Sequence, residues 1–296
     1  MTPSRPALAL SALISGAIVI SLAPIFVKTS EVGPAATAFH RMFLSLPIFI
    51  IAHCALAHTA HHETADKWDV RTYALLTLAG GFFAGSLAVL HWSIELTTVA
   101  NATLLGNASP IFVAIVAWVL LGETIGTRFI LGLAIAIVGT VLVVNASFSG
   151  HGNILGDTLA LVTACLYAGY VISVRLLRRS VATLDIMMWS GLTAAPILLI
   201  IALLSGETLT PMTVAGWLVL AGLALISHVI GLSLIAFSLA TLTASSSSLT
   251  LLIQPVGATI LAWVILGEEL KMQQAFGGVA VLIGILLARQ QNPARD

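Results

Sequence analysis

A small set of polar side chains stands inside long apolar stretches of this chain, and their types decide which chemistry is open to it. Asn107, Ser109 and Gln254 offer amide and hydroxyl groups beside two prolines, Pro110 and Pro255. His91 and His228 add imidazoles, and Tyr167, Tyr170, Trp92 and Phe82 add aromatic surface. A donor or acceptor left unpaired in an apolar medium is costly. Such groups therefore either bridge helices or meet a polar ligand. Amides, hydroxyls and aromatic faces hold a small amphipathic molecule by hydrogen bonding and stacking; they do not by themselves break its bonds. The serines have no matched histidine and aspartate, so nucleophilic catalysis is not expected. There is no Gly-Lys pair, hence no phosphate-cradling loop and no ATP-driven step. His53, His58, His61 and His62 cluster near one polar loop without a cysteine partner, and read as solvated residues rather than a metal site. The expectation is a binding protein that is not an enzyme and uses no cofactor or metal.

Ionisable groups within apolar runs are few: Arg41 beside His40, His91, Glu95 and His228. His91 and Glu95 are four residues apart and share a helix face. Arg41 is placed towards one end of its run, from where it can reach the aqueous interface. No Asp or Glu falls near the middle of a run, which argues against proton coupling through a carboxylate and leaves histidine as the titratable alternative.

The elements that position these residues follow from composition. The chain has 59% hydrophobic and 8% charged residues and zero formal net charge, with a mean hydropathy of +1.08. Soluble domains carry about 25% charge, so lipid must solvate most of this surface, and nothing points to a nucleic-acid partner. A spanning helix needs about 20 apolar residues. Ten runs qualify, roughly at residues 7–28, 35–56, 72–96, 99–121, 128–144, 154–177, 184–204, 212–239, 243–266 and 274–288. The first is read as a span rather than a cleaved signal, since similar runs follow it. The apolar residues are continuous rather than alternating, which excludes a membrane barrel. Cys54 and Cys165 both fall in apolar runs and read as small buried hydrophobes. With the N-terminus in the cytoplasm, nine of the 12 Lys and Arg residues fall on the inner side, two on the outer side, and Arg41 within a span. That bias predicts both termini in the cytoplasm.

One phrase is written twice. "PIFVAIVAWVLLGE" runs from Pro110 and "PVGATILAWVILGE" from Pro255, 145 residues later, with eight of fourteen positions identical. Gly132 and Gly277, Gly139 and Gly284, and Trp92 and Phe237 stand at the same offset, while Pro47 falls opposite Pro196. Five spans separate the copies, so two halves, residues 1–148 and 149–296, are expected to cross the bilayer in opposite directions. Inverted repeats of this kind build carriers with alternating access. Pro110 and Pro255 are expected near mid-helix as kinks beside the binding site. Glu123 and Glu268 each follow a glycine suited to a helix C-terminus, and are read as terminal residues at the water interface near the next helix. Trp118 and Trp263, just before them, read as interface anchors. The "TASSSSLT" run at 243–250 and the Gly81/Gly85 face on the third span suit close helix packing or ligand contact.

The duplicated Pro, Trp and Gly-Glu phrase, with a glycine-rich fifth helix in each half, resembles the drug/metabolite transporter superfamily and, within it, the EamA-type exporters of small metabolites and amino acids. The resemblance spans about residues 7–290. It implies a ten-helix all-α carrier in the cytoplasmic membrane, with a solute cavity between helices 1, 3, 4, 6, 8 and 9. On this reading the chain exports small metabolites, amino acids being favoured, as a facilitator or weakly coupled antiporter. Its partners are the solute and the lipid bilayer, and it works as a monomer or homodimer. The alternative is export of drugs or other organic solutes driven by proton antiport through membrane histidines.

Overall fold

The computed structural model describes residues 5–59, 68–97, 102, 105–144, 153–266 and 272–289, and every element among them is helical. In hydrocarbon a chain this apolar must satisfy its backbone internally, and helices do so within one segment. The helices are α1 (Arg5–Ile20), α2 (Ala23–Lys28), α3 (Pro34–Thr59), α4 (Val70–Leu96), α5 (Ser109–Leu121), α6 (Thr127–Val144), α7 (Ile154–Leu177), α8 (Thr183–Leu204) and α9 (Val214–Gly222). A π-helical stretch, Leu223–Leu232, continues α9 into α10 (Ser233–Ser238), and α11 (Ala244–Thr250), α12 (Ile253–Leu266) and α13 (Met272–Arg289) complete the chain. Seven of these continuous or nearly continuous segments are long and apolar enough to cross a membrane, and Ser109–Leu121, Thr127–Leu142 and Met272–Ala288 are shorter apolar helices.

Three runs are broken rather than kinked. α1 gives way to α2 at Ser21 and Leu22, α5 starts after a turn at Asn107 and Ala108, and α11 passes to α12 at Leu251 and Leu252. Pro24, Pro110 and Pro255 each lie in the first turn of the helix that resumes. The mid-helix placement expected for Pro110 and Pro255 is therefore corrected. A proline at a helix start forfeits an N–H that has no intrahelical partner anyway. At the third break the Leu251 carbonyl, which residue 255 cannot serve, accepts from the Gln254 N–H at 2.9 Å.

Backbones approach closely where side chains are absent. A Cβ added at Gly284 would lie 2.5 Å from the Gly132 carbonyl oxygen, and one at Gly139 would lie 2.6 Å from that of Gly277. These contacts run crosswise, 132 to 284 and 139 to 277, so α6 and α13 pack antiparallel. On the third run the close glycine is Gly80, against Ser190 and Thr193 of α8, whereas Gly81 has open space and Gly85 makes an ordinary contact with Leu166. Cys54 and Cys165 are exposed, correcting their expected burial. In a lipid-solvated chain an apolar residue can face outward at no cost, so composition does not tell inside from outside.

Polar groups clasp the helices at both ends of the bundle. At the end carrying the α7–α8 connection, Glu123 accepts from the N–H groups of Ala244 and Ser245 at 2.8 and 3.2 Å and from the Ser245 hydroxyl at 2.7 Å. It thus caps α11, not the next helix in sequence. Gly122 is left-handed at φ 66°, as its place after α5 predicts. Arg175 donates to the Leu239 carbonyl at 2.9 Å, and His53 meets Asp185 at 2.7 Å. At the other end Glu207 accepts from Ala35 and Ala36 N–H at 3.2 and 2.8 Å, and Thr97 donates to Asp157 at 2.7 Å. Glu31 accepts there from Met212 and Thr213 N–H at 2.9 and 3.0 Å and from the Thr213 hydroxyl.

The Thr213 hydroxyl, with the Thr213 and Met212 amides, holds the Glu31 carboxyl below its ordinary 4.5. A depressed carboxylate stabilises the fold above its unfolded pKa, and the contribution is lost as pH falls through the lower folded value. Glu31→Gln should therefore lower the thermal unfolding midpoint in detergent at pH 7. The gap from the parent should close as the pH is taken well below 4.5. A gap that stays constant with pH would show that the ionised carboxylate plays no part.

Candidate functional site

Several of the buried polar groups without partners lie in the middle of the bundle, while those of Arg175, Arg178 and Ser247 lie elsewhere. α3 places Arg41 and Phe49 there, α4 places Phe83, α7 places Tyr167 and Tyr170, and the π-helical stretch places His228. The Phe83 ring is 4.7 Å from that of Tyr170 and 6.0 Å from that of His228, and Phe49 closes on His228 at 5.9 Å. Tyr167 and Tyr170 lie 5.9 Å apart. Arg41 stands over the Phe83 ring at 5.7 Å, a cation–π geometry, and is within electrostatic reach of Tyr167, Tyr170 and His228.

His228 is 2% exposed, yet neither ring nitrogen has a hydrogen-bond partner in the structure. Buried atoms of Tyr170, Ser190, Ser227 and Arg41 are likewise unpartnered. Native interiors leave few buried polar groups unsatisfied. Arg41, Tyr170 and His228, from α3, α7 and the π-helical stretch, meet around the Phe83 ring with Ser227 next to His228 in the chain, and make a locus prepared for something polar. The π-helical register supports that reading, because such segments recur at functional sites.

The positions singled out from sequence fall into three groups. Tyr167, Tyr170 and His228 meet in this locus. Phe82 is its neighbour, its ring so close to α7 that a Cβ on Gly169 would lie 2.9 Å away. Asn107 lies elsewhere, on a cavity of about 270 Å³ with Leu105, Ile111, Ile137, Val141 and Leu161. Ser109 and Pro110 are buried at the start of α5, and Gln254 and Pro255 are partly buried in the first turn of α12. Trp92 is 46% exposed on α4, away from the rings that meet. The His91 and Glu95 side chains, and Glu268, His61 and His62, lie outside the described residues. Trp118 and Trp263 are exposed, as anchors would be. Of the serine run, Ser247 and Ser248 are buried, and Ser248 returns its hydroxyl to the Ser245 carbonyl at 2.9 Å. Among the described residues no group of three metal-ligating side chains comes together.

Sequence reasoning passed over Phe49, Phe83 and Ser227, and read Arg41 as a residue reaching for the interface rather than as part of the site. For Arg41 the signal was present: it is the one Lys or Arg assigned within a span rather than to either side. Arg41 is partly buried: its Nε is sealed and unpartnered against the Phe83 ring. The second run, left out of the cavity the resemblance implied, supplies Arg41 and Phe49, and the seventh packs beside it with an unpartnered Ser190 hydroxyl. Those two helices pack tightly against each other, with Gly191 receiving Leu46, which carries their polar residues inward.

The comparisons agree with this architecture. The pattern of the EamA-like transporter family matches the chain twice, over residues 7–145 and 154–290. An uncharacterized transporter of Archaeoglobus fulgidus is 27% identical over 274 residues, covering 89% of this chain and 91% of its own. A probable terminal-alkyne amino-acid exporter of Streptantibioticus cattleyicolor is 26% identical over 257 residues, covering 85% of each chain. A solved crystal structure superposes with a TM-score of 0.80 at 18% identity, covering 98% of this chain and all of that one, and so shares the fold. The apolar spans and the doubled family match make this a multi-pass membrane transporter, not an enzyme, and the chain belongs to the EamA-like transporter family.

Proposed function

We propose that the chain is a ten-helix carrier, built from two inverted five-helix repeats at residues 1–148 and 149–296, that exports small metabolites across a bacterial cytoplasmic membrane by alternating access. Amino acids are its favoured substrates. The observation that carries this reading is the convergence of unpartnered, buried polar groups and aromatic rings at mid-bundle. Hydrogen-bonding groups set among aromatic walls suit a small amphipathic solute.

The inverted repeat is supported by the family pattern's two matches and by the glycines of α6 and α13. Gly132 and Gly277 are repeat mates, as are Gly139 and Gly284, yet the contacts join 132 to 284 and 139 to 277. Exchange of partners between related positions is what a two-fold axis produces. Phe83 and His228, also 145 residues apart, meet ring to ring at 6.0 Å. The breaks beside Pro110 and Pro255 fall at matching places in the two halves, as carriers place them near the pathway. A cytoplasmic location for both termini is supported by the charges: Arg128, Arg175, Arg178 and Arg179 gather at the Glu123 end, while Lys28 lies at the other. The substrate class is supported by the amino-acid exporter among the relatives.

The test is uptake of a panel of labelled amino acids by liposomes containing the purified chain and preloaded with the unlabelled mixture. Exchange is expected without an imposed gradient, and an opposing pH gradient should add little uphill accumulation. Asn107→Ala and Gln254→Ala should each lower the rate about tenfold if those amides touch the solute. Full activity in both would remove them from the pathway. Failure of every amino acid to exchange would overturn the substrate class.

A further inference from the structure

Arg41 raises a question that the carrier reading leaves open: what balances its charge? The guanidinium stays protonated in proteins and presents five donors. Here it sits seven residues into α3, packed over Phe83, with Nε buried and unpartnered. Among the described residues no carboxylate pairs with it. Its neighbours are the phenols of Tyr167 and Tyr170 and the imidazole of His228, none of them an anion in its ordinary state. Arg41 is partly buried, and a cation drawn even partly out of water without a counter-charge is costly. The surroundings compound the deficit, because the Tyr170 hydroxyl, both His228 nitrogens and the hydroxyl of the adjacent Ser227 are also unpartnered.

We propose that Arg41 is the carboxylate-binding residue of the solute site. A carboxylate laid against the guanidinium would supply the missing charge and accept from Arg41 and the Tyr170 hydroxyl. The Ser227 oxygen and an unprotonated His228 ring nitrogen remain as acceptors for an ammonium group, and Phe49, Phe83 and Tyr167 offer aromatic surface to the side chain. The solute is then an anion or zwitterion with a free carboxylate and an apolar or aromatic body. Organic cations are disfavoured, since a positive charge brought beside Arg41 in this medium is repelled. This inference rests on the carrier reading above and narrows it.

The experiment uses the full chain in liposomes. Counterflow of labelled phenylalanine, leucine and threonine is measured, with unlabelled phenylalaninamide, leucinamide and threoninamide as competitors. Each amide keeps the side chain and the ammonium and loses only the carboxylate. The amides should compete at least about tenfold more weakly than the parent amino acids, the effect of losing a charge-assisted hydrogen bond. Arg41→Gln should weaken the apparent affinity for the amino acids about tenfold to a hundredfold, and Arg41→Lys should restore part of it. The thermal midpoint of Arg41→Gln should hold or rise, because the variant relieves an uncompensated charge; a purely structural arginine would give a fall. Amides that compete as well as amino acids, or full affinity in Arg41→Gln, would overturn the subsite and leave the carrier standing. If wild type moves none of the three amino acids, the amino-acid reading fails and the subsite fails with it. The amide comparison needs no variant, so it decides even if Arg41→Gln does not fold.

Discussion

Replacing His228 by leucine is expected to leave the folded chain as stable as before, or more stable, while solute exchange falls at least about tenfold. The two halves of that result have one cause. His228 is 2% exposed with both ring nitrogens unpartnered, wedged between the Phe49 and Phe83 rings. An unsatisfied buried polar group costs about 1–3 kcal/mol, and an apolar group of similar size removes that cost. Leucine does so without leaving a large void. The imidazole is therefore a poor choice for stability and a sensible one for a site that a polar solute completes, the familiar opposition of stability and activity. Thermal unfolding in detergent and counterflow in liposomes measure the two halves separately. A fall in the unfolding midpoint by several degrees with normal exchange would make His228 a structural residue and remove it from the pathway.

The second large effect concerns the pair α6 and α13. Valine at Gly284 would place Cβ 2.5 Å from the Gly132 carbonyl oxygen and 2.6 Å from the Ala136 nitrogen; valine at Gly139 would meet the Gly277 oxygen and the Val281 nitrogen at 2.6 Å. These neighbours are backbone atoms of regular helices, so only separation of the helices relieves the clash. Overpacking of this kind costs about 1–3 kcal/mol, and without a hydrophobic force between helices in lipid, close contact is what holds such a pair. Each valine variant should lower the unfolding midpoint by about 3–10 °C. Gly85→Ala is the control: its new Cβ would meet only the Leu166 methyl groups, at 3.4 and 3.9 Å, and the midpoint should scarcely move. Equal stability of Gly284→Val and Gly85→Ala would show that the crosswise glycines do not carry the packing.

Both predictions bear on what could be read without coordinates. Helical class, seven of the ten expected spans and the transporter family were legible, because hydrocarbon accepts few backbone solutions and a run of about 20 apolar residues announces each one. The doubled phrase at Pro110 and Pro255 was legible for the same reason that any repeat is: it is written in the chain. Tyr167, Tyr170 and His228 stood out as polar or aromatic residues in apolar surroundings. What linear order withheld was direction around each helix. Arg41 is visible as a charge at a known height, but height does not say whether it faces lipid, water or Phe83. Cys54 and Cys165, placed inside by their neighbours in sequence, turn outward because lipid tolerates them.

Other features exist only through space. Glu123 caps a helix 121 residues away, a choice made by how α5 and α11 meet rather than by the adjoining loop. The stretch LALISHVIGL has the composition of an ordinary apolar helix, and only its hydrogen-bond register makes it π-helical and sets His228 where it is. The glycines show the division most plainly. Their spacing marks Gly132, Gly139, Gly277 and Gly284 as related, but their antiparallel cross-pairing arises when two helices come near enough for backbone to touch backbone. Apolar periodicity and repetition are properties of one strand of text. Partner, facing and register are properties of surfaces in contact, and those are decided when the helices pack.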